Sequence, residues 1–210
     1  MASVSSTLPT SMEEVVSLIL QLYQPGSPEK VAKTQEILQQ LQRSSHGWQL
    51  ANNLANHESE QVRFFAALTF IVKLNTDSKS LGEQDAQALL QTLINWLIRC
   101  IENAEGPLVT RKLCSTLVAY FFQFPAAWKN CVKHLLYCVC MKTAVPYESL
   151  SEAPDTEALV REIPDSKAIA IFWFASTLVE EVGKTDSNSM KQLSSTCLPH
   201  AQPKKADLSF

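Results

Sequence analysis

Three side chains that can bind metal ions share one face of a predicted helix. Cys131, His134 and Cys138 recur at i, i+3 and i+7, and Cys140 follows closely. Thiolate and imidazole suit zinc, but zinc sites normally collect their ligands from two elements at shorter loop spacings. Cys131 also falls in an apolar stripe with Trp128. The pattern therefore favours buried structural thiols with a flanking histidine, and we expect no metal site and no cofactor.

The other residues with catalytic potential form no recognisable set. The four histidines occupy unrelated contexts, and no serine or cysteine nucleophile lies in a glycine-flanked elbow. Nucleophilic catalysis needs a nucleophile, a base and a group that orients the base. We therefore expect a binding protein that is not an enzyme, and a zinc or thiol enzyme is the minor alternative.

The composition disfavours several classes of protein. Five glycines among 210 residues are few against a usual share of roughly 7%. Phosphate-binding loops, hairpins and bulges depend on glycine, so nucleotide-binding α/β folds and all-β folds are disfavoured. A net charge of −3 argues against direct nucleic-acid binding. The longest apolar run, near 168–179, is shorter than the roughly 18 residues of a membrane span. We expect a soluble intracellular protein without membrane insertion.

Apolar residues recur at helical spacing along most of the chain, with start signals between the helices. Ser11, Ser27 before Pro28, and Pro107 are typical of helix starts. The segment from Ser80 to Glu83 matches a capping box. Residues 58–74 are apolar on two sides, which predicts a helix sandwiched between neighbours. Helices are predicted to begin near residues 11, 28, 46, 58, 82, 107, 126 and 165.

These helices form about four pairs, and no segment alternates with period 2 between turn signals. The sequence therefore predicts an all-α fold, a HEAT- or armadillo-type solenoid of helical repeats, with a compact bundle as the alternative. Residues 1–10 are predicted to be a flexible N-terminus, 11–185 the repeats and 186–210 a disordered or aberrant tail. An acidic insertion, 142–164, carries a short helix near 155–162, and the last helix is predicted over 165–183.

The segment from Val31 to Leu74 resembles the start of the importin-β N-terminal domain. As in that domain, the helix VAKTQEILQQLQ is followed by a polar break and Trp48. The short helix QLANNL and a helix that opens with VRFFAALTF follow in the family's order. The segments TRKLCSTL and FPAAW continue the likeness, which extends over about residues 12–185. The chain resembles most the transportin-SR-like branch and its fungal members, which are several times longer.

The resemblance implies the N-terminal portion of a nuclear transport receptor, or karyopherin. Members of this family bind the small GTPase Ran in its GTP form through the inner helices of their first repeats. They carry protein cargo, contact phenylalanine-glycine repeats of nucleoporins, and shuttle between the nucleus and the cytoplasm. The alternative function is a helical-repeat scaffold outside transport.

Four basic residues mark the surface that the resemblance makes Ran-facing. Arg63 and Lys73 lie on the second helix of the second pair, and Arg111 and Lys112 on the second helix of the third. As Ran contacts, they would meet acidic or carbonyl groups of the GTPase. The alternative is a solvated helix face or, for Arg63, a bridge between adjacent repeats.

The tryptophans and an acidic stretch each have a structural and a functional interpretation. One tryptophan in each pair lies in or beside an apolar stripe, and we expect these residues to fill the core rather than to line nucleoporin pockets. They are Trp48, Trp96, Trp128 and Trp173. The acidic stretch 148–165 is predicted to be a solvated loop, with attraction of a basic cargo or partner as the alternative.

Overall fold

A computed structural model describes residues 8–196, with the backbone alone at 166 and 185–196. This part of the chain contains nine α-helices, two short 3-10 helices and no strand, which confirms the all-α prediction. The α-helices are α1 (Met12–Gln21), α2 (Pro28–Arg43), α3 (Gly47–Leu54), α4 (Glu60–Asp77), α5 (Glu83–Glu102), α6 (Pro107–Gln123), α7 (Cys131–Met141), α8 (Thr156–Glu162) and α9 (Asp165–Thr196). The 3-10 helices span Ser78–Ser80 and Tyr147–Glu152.

Local start signals fix the first residues of several helices. The hydroxyl of Ser11 accepts a hydrogen bond from the backbone N–H of Glu14, and Asp155 caps α8 in the same way. Pro28 and Pro107 begin α2 and α6, where the missing proline N–H costs no hydrogen bond. These helices therefore begin where the sequence predicts, and the short helix expected near 155–162 is confirmed.

One predicted cap and one predicted start are wrong. Ser80 does not cap α5, because its hydroxyl donates to the carbonyl oxygen of Asp77 inside the preceding 3-10 turn, and Gly82 takes the cap position. The helix expected near residue 126 begins only at Cys131. Residues 125–130 form a turn instead, since Trp128 is fully buried there and its indole N–H reaches a partner on α7.

The second helices of successive pairs pack side by side. α4 contacts both α2 and α6, and α6 in turn contacts α9, so α2, α4, α6 and α9 form a row. On the other side, α1 and α3 pack against this row, and α5 packs beside α7. The four pairs are α1 with α2, α3 with α4, α5 with α6, and α7 with α9. This is the layered arrangement of a helical-repeat solenoid.

The helices in the middle of the row are buried in several directions. Phe65, Ala66 and Ala67 of α4 are all buried, as are residues 116–118 of α6. Successive residues of an α-helix point about 100° apart, so neither helix has only one buried face. This confirms the prediction that 58–74 lies between neighbours. None of the described helices has the length and hydropathy that crossing a bilayer requires.

The last helix is longer than the sequence predicts. α9 runs to Thr196, past the expected end at Gly183. A single glycine without a following proline lowers helix stability by only about 1 kcal/mol, which does not stop a helix. The expected flexible start and tail fall partly outside the described residues, at 1–7 and 197–210, and the division of the chain into these regions stays a prediction.

Gly47, at the start of α3, provides a test of the packing. A Cβ atom there would lie 2.4 Å from the carbonyl oxygen of Gln42 and 2.7 Å from Cδ of Lys73. We expect Gly47→Ala to lower the free energy of unfolding by about 1–3 kcal/mol in chemical denaturation, because a packed interior resists added volume.

Gly183→Ala is the matched control. Nothing lies within 4 Å of a Cβ atom at this position of α9. We expect this variant to gain about 0.5–1 kcal/mol from the better helix propensity of alanine. Equal effects of the two substitutions would contradict the close contact around Gly47.

Candidate partner-binding site

Arg63 connects two adjacent repeats rather than facing solvent. Its Nη1 donates to the carbonyl oxygens of His57 and Glu58, at 2.8 and 2.7 Å, in the turn before α4. Its Nη2 lies 3.0 Å from Oε2 of Glu105, in the turn before α6. The guanidinium therefore ties two turns of successive pairs together, which is the structural alternative that the sequence left open.

Lys73 is buried in spite of its charge. The side chain is 2% exposed, and its Nζ donates to the carbonyl oxygen of Ser44 at 3.0 Å and to Asp77 at 2.8 Å. Trp48 lies beside it, with Nζ 5.8 Å from the ring centroid. The hydrogen bond from Lys73 holds the pKa of the Asp77 carboxyl below its usual range. Lys73 thus joins α4 to the turn between α2 and α3 and is not accessible to a partner in this arrangement.

Arg111 and Lys112 stand on the open side of α6. The guanidinium carbon of Arg111 lies 4.7 Å from the ring centroid of Trp173 on α9, and Nζ of Lys112 lies 5.2 Å from that of Phe64 on α4. Neither cation forms an ion pair within the described part of the chain. Each cation rests against an aromatic ring, which leaves hydrogen-bond donors free for an incoming anion.

Two neighbouring cavities lie along this side of α6, and one of them is lined by both cations. One of about 350 Å³ lies between Phe64 and the first turns of α6, and includes Arg111 and Lys112. The second, also about 350 Å³, continues along α6 between Ile71 of α4 and Thr177 of α9. Ser115 lines both cavities. We call this continuous side of α4, α6 and α9 the second-helix face.

The structure therefore separates the four predicted Ran-binding residues into two classes. Arg63 and Lys73 make contacts within the chain, whereas Arg111 and Lys112 lie on the second-helix face. Helical spacing places Phe64 and Ile71 on the second apolar side of residues 58–74. It did not predict that they lie beside α6 on an open face, because they come from a different helix and meet α6 only after packing.

The tryptophans divide in a similar way. Trp96 and Trp128 are buried, as predicted for core residues. Trp48 and Trp173 are partly exposed, and each lies against a cation. Trp173 thus belongs to the second-helix face as well as to the contact between α6 and α9.

The Cys131, His134 and Cys138 group forms a hydrogen-bonded core. The indole N–H of Trp128 donates to Nδ1 of His134 at 2.9 Å, so Nε2 carries the proton and donates to the carbonyl oxygen of Val145 at 2.9 Å. Cys138 Sγ lies 3.5 Å from Nε2. His134 therefore joins the turn before α7 to the segment after it. Among the side chains that the structure describes, no group of three or more metal-ligating residues is placed to hold an ion.

Burial makes the thiols poor nucleophiles. Desolvation raises the pKa of Cys100 and Cys114 to about 12 and that of Cys138 to about 11. At neutral pH these side chains are protonated, and the thiolate rather than the thiol is the reactive form. These three cysteines thus behave as small apolar core residues.

The buried position of Lys73 predicts a loss of stability on truncation. We expect Lys73→Ala to lower the free energy of unfolding by about 2 kcal/mol or more, because the packed side chain leaves a cavity. Chemical denaturation measures the change, with the exposed Lys33→Ala on α2 as the control that stays close to the parent. If the free energy of unfolding is unchanged in both variants, the buried position of Lys73 is wrong.

His134 predicts a pH dependence of stability. Burial lowers the pKa of His134 below its ordinary value of 6.5, against smaller raising effects of the Val145 carbonyl and Glu148. Protonation therefore favours the unfolded chain. The contribution of neutral His134 to stability is fully present above about pH 6.5 and is lost as the pH falls through that value toward the folded pKa.

A neutral side chain at this position tests the assignment. We expect His134→Gln to be less stable at neutral pH but to lose less stability than the parent between about pH 7.5 and pH 5.5. Denaturant midpoints at both pH values provide the comparison. The same loss in both proteins would show that other groups cause the acid sensitivity.

The chain is similar in sequence to a known importin beta-like protein. It is 29% identical over 124 residues to the importin beta-like protein kap111 of Schizosaccharomyces pombe. The match covers 58% of this chain and 12% of that protein's length. No protein-family model matches the chain. The similarity agrees with the importin-β resemblance of the sequence, while the transportin-SR-like branch and the fungal source stay predictions.

Proposed function

We propose that this chain is a portion of a nuclear transport receptor that binds Ran in its GTP form. The observation that carries the proposal is the 29% identity with an importin beta-like protein, over a segment that folds as paired helical repeats. The match covers 12% of that protein, so cargo transport by the whole receptor is part of the proposal.

The second-helix face supports binding of a protein partner. Arg111 and Lys112 present two unpaired cations, and the adjoining cavities offer apolar side chains such as Ile71 and Phe122. Cations beside partly exposed apolar groups suit a protein surface that combines carboxylates with apolar residues. In this proposal Arg111 and Lys112 contact the GTPase, and Arg63 and Lys73 hold the helices that present them.

The proposed role requires no chemistry of the chain itself. We include in the proposal the remaining properties that the resemblance implies: protein cargo, phenylalanine-glycine repeats of nucleoporins as partners, and shuttling between the nucleus and the cytoplasm. A scaffold outside transport is the competing function, and it predicts partner binding that ignores the nucleotide state of Ran.

Calorimetry with Ran loaded with GTP or GDP tests the proposal. We expect binding of the GTP form and little binding of the GDP form. The double variant Arg111→Glu with Lys112→Glu should bind the GTP form at least about tenfold more weakly, because it places like charges opposite the partner's carboxylates. Both residues are solvent-accessible, so circular dichroism should show an unchanged helical fold.

A double charge reversal elsewhere is the control. Lys79 and Lys129 are exposed and line neither cavity of the second-helix face. We expect Lys79→Glu with Lys129→Glu to leave the affinity close to that of the parent, although the change in net charge is the same. Equal binding of both nucleotide forms, or none by the folded chain, would favour the scaffold function instead.

A further inference from the structure

The side chain of Arg111 packs against an aromatic ring of the fourth helix pair. Its guanidinium carbon lies over the ring of Trp173 on α9, 4.7 Å from the centroid. Arg111 forms no ion pair within the described part of the chain. A guanidinium on a ring keeps N–H groups at its edge that can donate to a carboxylate. The ring therefore restricts the cation without using its hydrogen-bond donors.

Neighbouring contacts hold Trp173 in place beside α6. About one turn before Trp173, the carbonyl oxygen of Ala170 accepts from the thiol of Cys114 at 3.5 Å. Cys114 itself follows Arg111 by about one turn of α6. Phe174, the residue after Trp173, is fully buried. The backbone of α9 is thus fixed against α6 next to the ring, whereas the Trp173 side chain stays partly exposed.

Lys112 rests on the other side of α6. Its Nζ lies 5.2 Å from the ring centroid of Phe64 on α4. Successive residues of an α-helix point about 100° apart, so the two cations diverge, one toward the second pair and one toward the fourth. A partner that contacts both cations therefore covers three consecutive pairs, from α4 across α6 to α9.

Orientation of Arg111 before binding increases affinity. A free arginine side chain loses rotational freedom when a partner holds it, and this loss weakens binding. The ring of Trp173 restricts the side chain in the free protein, so less freedom remains to be lost. Tryptophan and arginine are also enriched among the residues that dominate the binding energy of protein interfaces.

We propose that Trp173 is a positioning residue for partner binding at the second-helix face, and that it makes the fourth helix pair part of the binding site. Its ring holds the guanidinium of Arg111 where a carboxylate of the partner meets the N–H groups. This role of Trp173 rests on the proposed binding of Ran in its GTP form. It gives a binding role to a tryptophan that its apolar stripe predicts as a core residue.

The ring of Trp173 also contributes to the packing of α6 against α9, and packing alone has a different effect on binding. If the ring only packs, its loss weakens partner binding whether or not Arg111 is present. If the ring acts through Arg111, its loss weakens binding only while the guanidinium is there. Substitutions combined at both positions separate the two roles.

Calorimetric titration of the full chain with Ran in its GTP form measures the effect. Trp173→Leu keeps an apolar side chain but has no ring, and we expect the dissociation constant to rise at least about threefold. Trp173→Phe keeps a ring beside the guanidinium and should stay within about twofold of the parent. Arg111→Lys keeps the charge but lacks the planar group, so it should also weaken binding at least about threefold. This last variant leaves Trp173 intact, so it tests the contact even where Trp173→Leu lowers stability.

Two further variants assign the effect to the contact between Arg111 and Trp173. Arg111→Ala combined with Trp173→Leu should bind as weakly as Arg111→Ala alone, because the ring then has no guanidinium to hold. Phe172→Leu is the matched control on the same helix. Phe172 is 73% exposed and lines neither cavity of the second-helix face, so this variant should bind like the parent. Circular dichroism and the thermal midpoint check the fold of each variant.

Three results would overturn the role of Trp173 alone. They are parent-like affinity of Trp173→Leu or Arg111→Lys, an equal loss of affinity in Phe172→Leu, and a further loss when Trp173→Leu is added to Arg111→Ala. In all three the parent still binds the GTP form, so the proposed function stands. A parent that binds neither nucleotide form, or both equally, contradicts the proposed function and with it the role of Trp173.

Discussion

Helix α6 forms buried hydrogen bonds to three other helices, and the arrangement of the solenoid depends on these contacts. The hydroxyl of Thr116 donates to a carbonyl oxygen of α4, that of Tyr120 to a carbonyl oxygen of α5, and the thiol of Cys114 to a carbonyl oxygen of α9. Buried polar groups without partners are costly, so these contacts allow few other placements of the three helices. The remaining open side of α6 carries Arg111 and Lys112.

Burial also decides which charged residues make contacts within the chain. α4 lies in the interior of the row, so the charge of Lys73 has to find carbonyl and carboxylate oxygens inside the chain. Arg63 meets the same condition through the turns on both sides of it. On α6 the outward cations Arg111 and Lys112 form no ion pair within the described part of the chain, and they mark the second-helix face.

The second-helix face, the proposed binding site, is an accessible surface whose cavities are lined by none of the described thiols and by no histidine. His134 and the buried thiols lie in the core. The imidazole of His134 has a partner at each nitrogen, and burial keeps the thiol of Cys138 protonated at neutral pH. The second-helix face, with two cations beside aromatic rings, is accessible. Such a face suits protein recognition, which agrees with the similarity to an importin beta-like protein.

Local interactions allowed the sequence to predict the helical class, the starts at Ser11, Ser27 and Pro107, and the burial of α4 on two sides. Helix caps and apolar spacing act within a few residues, so they can be read along the chain. The failed capping box at Ser80 and the burial of Lys73 show the limit of prediction from local sequence. Whether a side chain faces solvent, a carbonyl or an aromatic ring depends on the distance to helices far away in sequence, and only the packed structure sets those distances.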